Sequence, residues 1–478
     1  MSFGFQLFYQ SSFVNFIKEK PINTKFKEIP GMFDGPIIPI AIKIGLPMLI
    51  GLVLQFCYAL VDTIFISRID PKSTAILSGT GLMFPLFFLF IAISMSMNVG
   101  IGAMVGRFIG ENNRESARHV MPSGLLISLC IGVPAIFGGY VFSGHFLHLL
   151  AGAQLSEEAI GYGKQFLNFL LPGLFIMLLG NVFSGILQGE GRTSTIARAM
   201  VVSTVLNIAL DPILIFGFKM GVAGAGLATS ISILIAALMM CIAFLRDKSS
   251  FPFSFNVFKS QWKIIVEILR IGFPNFLSMA SLAVSFMVFN KIVSAIDQTV
   301  MNAWTLVGRM DQIVMIPAFA VSGAALTMIA QNFGRGNFER VKTIYARVIV
   351  LGVASVGIIA LVYILAAPWF FKMFTDLPEV VDLASRQVRF LALTITGLSV
   401  AIVTASSFQA IGKPLPALFL ALIRMGLISI PVALILVFTL HLKIYGVYIA
   451  IATGNLCAVP IAYFWFRRQV KRMANKTV

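Results

Sequence analysis

Residues 206–216 read LNIALDPILIF, an Asn, an Asp and a Pro set into an otherwise apolar run. Whether that run lies in water or in hydrocarbon decides the fold. Soluble proteins carry about 25% charged residues; here charge is 12%, hydrophobic residues are 58% and the mean hydropathy is +0.93. Stretches without a formal charge, among them 120–156, 220–245, 348–371 and 390–412, all exceed the ~20 residues that a bilayer-crossing helix needs. Strands of a membrane barrel would be shorter and strictly alternating. The chain therefore reads as an all-α, polytopic membrane protein. Twelve transmembrane helices are expected near 37–67, 74–106, 119–150, 157–188, 193–217, 222–245, 262–295, 300–334, 341–371, 380–411, 415–440 and 444–466.

A net charge of +17 raises nucleic acid as a partner, but the distribution argues otherwise. Basic residues crowd the segments on the side of both termini, as with Lys18, Arg107, Arg114, Arg192, Arg335, Lys413 and Arg472. They thin out on the opposite side, where Arg68, Lys72, Lys219 and Lys443 lie. This bias orients membrane proteins with the basic side inward, so both termini are expected in the cytoplasm of a bacterial-type inner membrane. Cys57, Cys130, Cys241 and Cys457 are scattered without paired spacing, as buried apolar residues rather than disulfides or ligands. His145 and His148 share a helix face but have no third ligand nearby in sequence. No short apolar stretch followed by small residues opens the chain, so a cleavable signal peptide is not expected. Residues 1–35, aromatic and then basic, read as a cytoplasmic segment, either an interfacial helix or a tail.

The sequence repeats itself. IKIGLPMLIGL from Ile42 resembles LRIGFPNFLSM from Leu269, and VGRFIGENNRESAR from Val105 matches IAQNFGRGNFERVK from Ile329. LQGEGRT from Leu187 matches FQAIGKP from Phe408, and the three pairs keep separations of 221 to 227 residues. Six spans per half is an even number, so the halves are pseudo-symmetric six-helix bundles in a parallel repeat. Such duplication belongs to transporters whose halves rock about a central cavity. The expected organisation is an N-lobe at 36–246, a polar cytoplasmic linker at 247–261, a C-lobe at 262–470 and a basic tail at 471–478.

Charged groups at membrane depth are costly and face a cavity or a partner. Asp62 lies six residues before Arg68 and Asp211 eight before Lys219, both roughly 9–12 Å below the outer end at about 1.5 Å per residue. Thr229, on the returning sixth span, falls at a similar level. Asn207 and Tyr58 each precede one of these carboxylates by four residues, so each pair shares a helix face. Pro212 cannot donate a backbone hydrogen bond to residue 208, and a bend there makes room for water or a cation. Two carboxylates in one dry site favour a bound proton, and with the amide and hydroxyls they equally suit Na⁺. The second half lacks a counterpart, with Phe289 and Asn290 at the positions aligned with Asp62. Span eight carries Arg309 and Asp311, two residues apart and hence on different faces. A structural role at the outer end of that span is expected of them. Some of the 44 Phe and 22 Met are suited to line a greasy cavity for flat amphiphiles.

Together, LQGEGRT, NIALDPILIFG followed by GVAGAGLATS, and VGRMDQ…P…QNFGRGN around span eight resemble the multidrug and toxic compound extrusion (MATE) family over about residues 36–470. The DinF-type branch is the nearest resemblance. Membership implies a V-shaped transporter, not an enzyme, that exports cationic amphipathic compounds in exchange for H⁺ or Na⁺, without a cofactor. The branch's first-lobe cation site maps onto Asp62, Asn207, Asp211 and Thr229, with Tyr58 beside it. NorM-type members carry acidic residues in spans seven and ten; NFLSMASLAVSF and LTITGLSVAIVTASSF lack them here, which favours H⁺ coupling through the first lobe. Expected partners are small cationic solutes and membrane lipid, with the chain a monomer. The alternatives are a flippase for lipid-linked saccharides, which would want several cavity arginines, and a membrane-embedded lipid-modifying enzyme, which would want a nucleophile, base or metal cluster.

Overall fold

The computed structural model describes residues 26, 28–70, 75–151, 156–246, 249, 251, 253–375 and 377–477. Among them, twelve helices are long and apolar enough to cross a membrane. In the first half these are α1 (Ile37–Ser67), α2 (Ser78–Glu111), α3 (Arg114–His145), α4 (Glu157–Gly189), α5 (Thr193–Gly217) and α6 (Val222–Leu245). The second half contains α7 (Trp262–Ser294), α8 (Gln298–Gly334), α9 (Phe338–Phe371), α10 (Pro378–Ala410), α11 (Leu415–Thr439) and α12 (Lys443–Asn475). The largest departure from expectation is at α12, which runs past 466 to Asn475, and α2 likewise runs past 106 to Glu111. Arg107, which looks like the end of a span, is instead paired with Glu267 at 3.0 Å, so the helix carries its charge into the protein.

The internal repeat is written into the backbone. Two residues beyond the ends of α4 and α10, Gly191 and Gly412 both take positive φ (78° and 71°). Each stop closes with the same long bond, Arg192 N–H to the Leu187 carbonyl at 2.7 Å and Lys413 N–H to the Phe408 carbonyl at 2.9 Å. At the opposite end, α5 and α11 both finish in a widened π-helical turn, Ile213–Gly217 and Ile435–Thr439. Phe218 N–H bonds the Ile213 carbonyl at 2.8 Å, and Leu440 N–H bonds that of Ile435 at 3.0 Å. Lys219 and His441 then take matching left-handed turns, φ 56° and 53°. The chain after Pro212 therefore continues as a wider helix, where a simple bend was expected.

The halves meet on the side that carries the chain ends. Thr327 donates to the Gln188 carbonyl at 2.7 Å and Gln331 to that of Gly189 at 2.8 Å, joining α8 to α4. Asn275 of α7 donates to Ser96 of α2 at 3.1 Å. Gly110 lies against the Gln331 carbonyl and Gly334 against the Arg107 carbonyl, so close that a Cβ on either would overlap the facing backbone. At the far end each half packs on itself: Phe65 meets Phe216, and Phe289 meets Trp304.

Two connecting segments pack more than their composition suggests. Residues 1–25 and 27 lie outside the described residues, so the expectation of an interfacial helix concerns mostly chain that is not described. Residues 30–34 form a turn rather than a surface helix. Met32 is buried, and Arg340 donates to the carbonyls of Gly31, Met32 and Gly35 while Asn332 also reaches Met32. Phe26 sits beneath the Arg114 guanidinium and beside Phe251. The linker is aromatic and docked, not simply polar: Phe253 packs on Phe244 and Phe255 on Phe183. Its end is held where His119 Nδ1 meets the Lys259 carbonyl at 2.6 Å and Gln261 N–H donates to Ser123 at 3.2 Å.

Asp297 caps the start of α8, accepting from the backbone N–H of Thr299 at 2.7 Å and of Val300 at 3.3 Å. These bonds hold its carboxyl below the ordinary carboxylate range. A depressed folded-state value means that the cap contributes fully above the unfolded value and is lost as pH falls through the folded one. Asp297→Ala is therefore expected to unfold at a lower temperature than wild type at neutral pH. The gap should close in acid; a gap independent of pH would show that the charge does not matter.

Candidate coupling site in the first lobe

Helix α5 is amphipathic in an inverted sense, with Thr204, Asn207 and Asp211 on its buried face and Val202, Val205 and Ile213 outside. The 3.6-residue period puts Thr204, Asn207 and Asp211 in one row, and α1 and α6 pack against the helix. Asp211 has 0% exposure, with Asn207 and Thr229 also buried. Asn207 Nδ2 donates to Thr229 Oγ1 at 3.5 Å. The Tyr58 hydroxyl lies near Thr229, Asp62 and Asp211. The two carboxylates are also within Coulombic range of each other. All five residues singled out for this site thus come together from α1, α5 and α6.

The site is rich in acceptors and poor in donors. Asp62 Oδ1, Asn207 Oδ1 and both carboxylate oxygens of Asp211 are buried without a hydrogen-bond partner. Buried polar atoms are ordinarily paired, and an unmet acceptor costs about 1–3 kcal/mol. Several in one place form a cradle for a proton or a small hard cation. Oxygen ligands suit Na⁺ rather than a soft metal, and among the described residues no group of three His, Cys, Asp or Glu could hold a metal ion. Pro212 ends the α-helical part of α5 immediately beside Asp211, and the π-turn follows it.

Arg309 and Asp311 are separate from this cluster and from each other. Arg309 is exposed. Asp311 lies about 20 Å along α8, deeper than its outer end. There it faces Tyr363 of α9, whose hydroxyl is buried without a partner. One polar centre went unnoticed in the sequence. Arg424, in the π-helical segment Ile423–Ser429 of α11, is only 7% exposed and donates from Nη1 to Asn455 Oδ1 at 2.9 Å. Its signal was a lone charge in the otherwise uncharged run 415–440.

Twelve spans, a parallel repeat and a buried carboxylate site in one half narrow the family, and direct comparison decides it. The MatE family profile matches residues 47–213 and 274–435, one block in each half. The chain belongs to the MATE family. It is a multi-pass membrane transporter of that family, not an enzyme. Among curated relatives of this MATE protein, the "FAD transporter" of Shewanella oneidensis is 25% identical over 446 residues, covering 91% of this chain and 94% of the relative. The "Multidrug export protein MepA" of Staphylococcus saprophyticus is 24% identical over 421 residues, covering 88% and 92%. Of solved structures, "MATE transporter ClbM in complex with Rb+" is 31% identical, with a TM-score of 0.83 and coverage of 94% and 100%.

Proposed function

We propose that this MATE transporter is a secondary-active exporter of the DinF-type branch that expels cationic amphipathic compounds by antiport with H⁺. It sits in a bacterial-type inner membrane as a monomer with both termini cytoplasmic. Asp62 and Asp211 bind the proton, Asn207, Thr229 and Tyr58 shape the site around them, and Na⁺ at the same oxygens is the alternative coupling ion. Relatives named for multidrug export support a small organic cargo. The observation that carries the reading is the set of unpartnered oxygens on Asp62, Asn207 and Asp211. Filling the site neutralises one or both carboxylates, which lets α1, α5 and α6 draw together and close the first-lobe cavity. Emptying it restores their repulsion and reopens the lobe.

The test is ethidium efflux from proteoliposomes energised separately by a pH gradient and by a Na⁺ gradient. The pH gradient is expected to drive export. A response to Na⁺ alone would overturn the choice of ion, and failure under both gradients across a panel of organic cations would overturn the cargo.

A further inference from the structure

Among the described residues, Arg424 is a charge without a countercharge. It lies nine residues into α11, about 14 Å from the start of that helix. Among the described residues its one side-chain hydrogen bond is to the neutral Asn455 amide, and no carboxylate lies within ion-pair distance. A guanidinium has five N–H donors, so most of its capacity is unused. Asn455 is itself pinned, donating from Nδ2 to Thr394 Oγ1 at 3.3 Å, while Thr394 donates to the Leu391 carbonyl at 2.7 Å. That relay turns the Asn455 carbonyl oxygen toward Arg424 and fixes the guanidinium between α10, α11 and α12. Ser429 donates to the Arg424 carbonyl at 2.9 Å, which closes the widened turn. Gly454 lets α12 approach: a Cβ there would meet the Arg424 carbonyl oxygen at 2.8 Å.

Merely fastening α11 to α12 would not require a charge, because a neutral amide or hydroxyl could donate to Asn455 without the desolvation penalty. A cation kept at membrane depth without a partner is suited to meet one that comes and goes. Phe390, 42% exposed, offers a ring face to an aromatic body behind an acidic head, and Tyr448 backs it from the core. Phe390 is one turn from Thr394 along α10, and Tyr448 is two turns from Asn455 along α12. Their rings pack at 5.8 Å between centroids.

We propose that Arg424, positioned by Asn455 and Thr394, is the anion-recognition residue of a binding site in the second lobe, which takes the oxyanion group of a flat amphipathic solute, a second ligand class beside the cationic cargo. The two lobes then differ in sign, with unpartnered acceptors in the first and unused donors in the second. The proposal rests on the transporter reading but not on the choice of coupling ion, because binding is read at equilibrium without a gradient.

The probes are 1-pyrenebutyrate and its uncharged analogue 1-pyrenebutanol, titrated by fluorescence anisotropy onto the full chain in phosphatidylcholine nanodiscs. Wild type is expected to bind the acid about tenfold or more tightly than the alcohol, the size of one charge-assisted hydrogen bond. Arg424→Gln should bind the two probes alike, and Arg424→Lys should keep part of the preference. Equal binding of acid and alcohol by wild type would overturn the proposal without needing any variant to fold. So would an undiminished preference in R424Q. Repeating the titration with phosphatidylglycerol added separates the sources of the oxyanion. Competition seen in wild type but not in R424Q would overturn the solute in favour of a lipid headgroup, and unchanged binding supports the solute.

Discussion

Asp211→Asn is expected to lower gradient-driven export by about tenfold or more, the effect of roughly 1.4 kcal/mol lost from the rate-limiting step, while leaving the protein folded. Asp211 is the most enclosed member of its cluster, and neither carboxylate oxygen has a hydrogen-bond partner. Asn has nearly the same shape, so helix packing is preserved, but it can neither take up nor release a proton. The site is then locked in its neutral form, and the step that reopens the lobe is lost. Stability should hold or rise, because the substitution removes a buried charge that nothing neutralises and supplies donors to a site short of them. Asp62→Asn should act in the same direction, since Asp62 contributes the second carboxylate from α1. The measurement is initial ethidium efflux in proteoliposomes, beside the unfolding temperature of each variant. Wild-type rates in both variants would remove the coupling site from the proposal.

Gly110→Val should have the next largest effect, by a different route. At Gly110 the backbone of α2 touches the Gln331 carbonyl of α8, and at Gly334 the contact is returned to Arg107. A branched side chain cannot enter that seam unless the lobes move apart. Overpacking of this kind costs about 1–3 kcal/mol, which falls on the closed seam alone and shifts the balance of open to closed by about tenfold. With the native cysteines replaced, a cysteine at the buried Ala330 position should react with a water-soluble maleimide faster by a similar factor. Unchanged labelling would show that the seam opens elsewhere.

The twelve spans were legible because burial in lipid demands long uncharged runs, and the halves because three motifs recur in order. Asp62, Asn207, Asp211, Thr229 and Tyr58 could be gathered from one half alone, since depth and helical spacing are arithmetic on sequence position. Arg424 was not legible in that way. A single charge in an apolar helix has the same appearance whether it reaches for the interface or for a neighbour, and its neighbours Asn455 and Thr394 are distant in sequence. Asp311 likewise found its companion, Tyr363, on another helix. The widened turns of α5 and α11 escaped because one has a proline at its entry and the other has leucine. Their common cause is backbone geometry, which residue type does not announce. The packing of the linker was hidden by its hydrophilic flanks, although its phenylalanines do the docking.

The turn near the start of the chain has a mechanical consequence. Phe26 is fastened to Arg114 of α3 in one half, whereas Gly31, Met32 and Gly35 are fastened to Arg340 of α9 in the other. The segment between them works as a leash across the seam. Drawn straight, the chain from Phe26 to Gly31, the first carbonyl that Arg340 holds, reaches about 17 Å. Rocking of the lobes can part the anchors no further than that without releasing one of them, so the leash sets a limit on how wide the mouth at this end can gape.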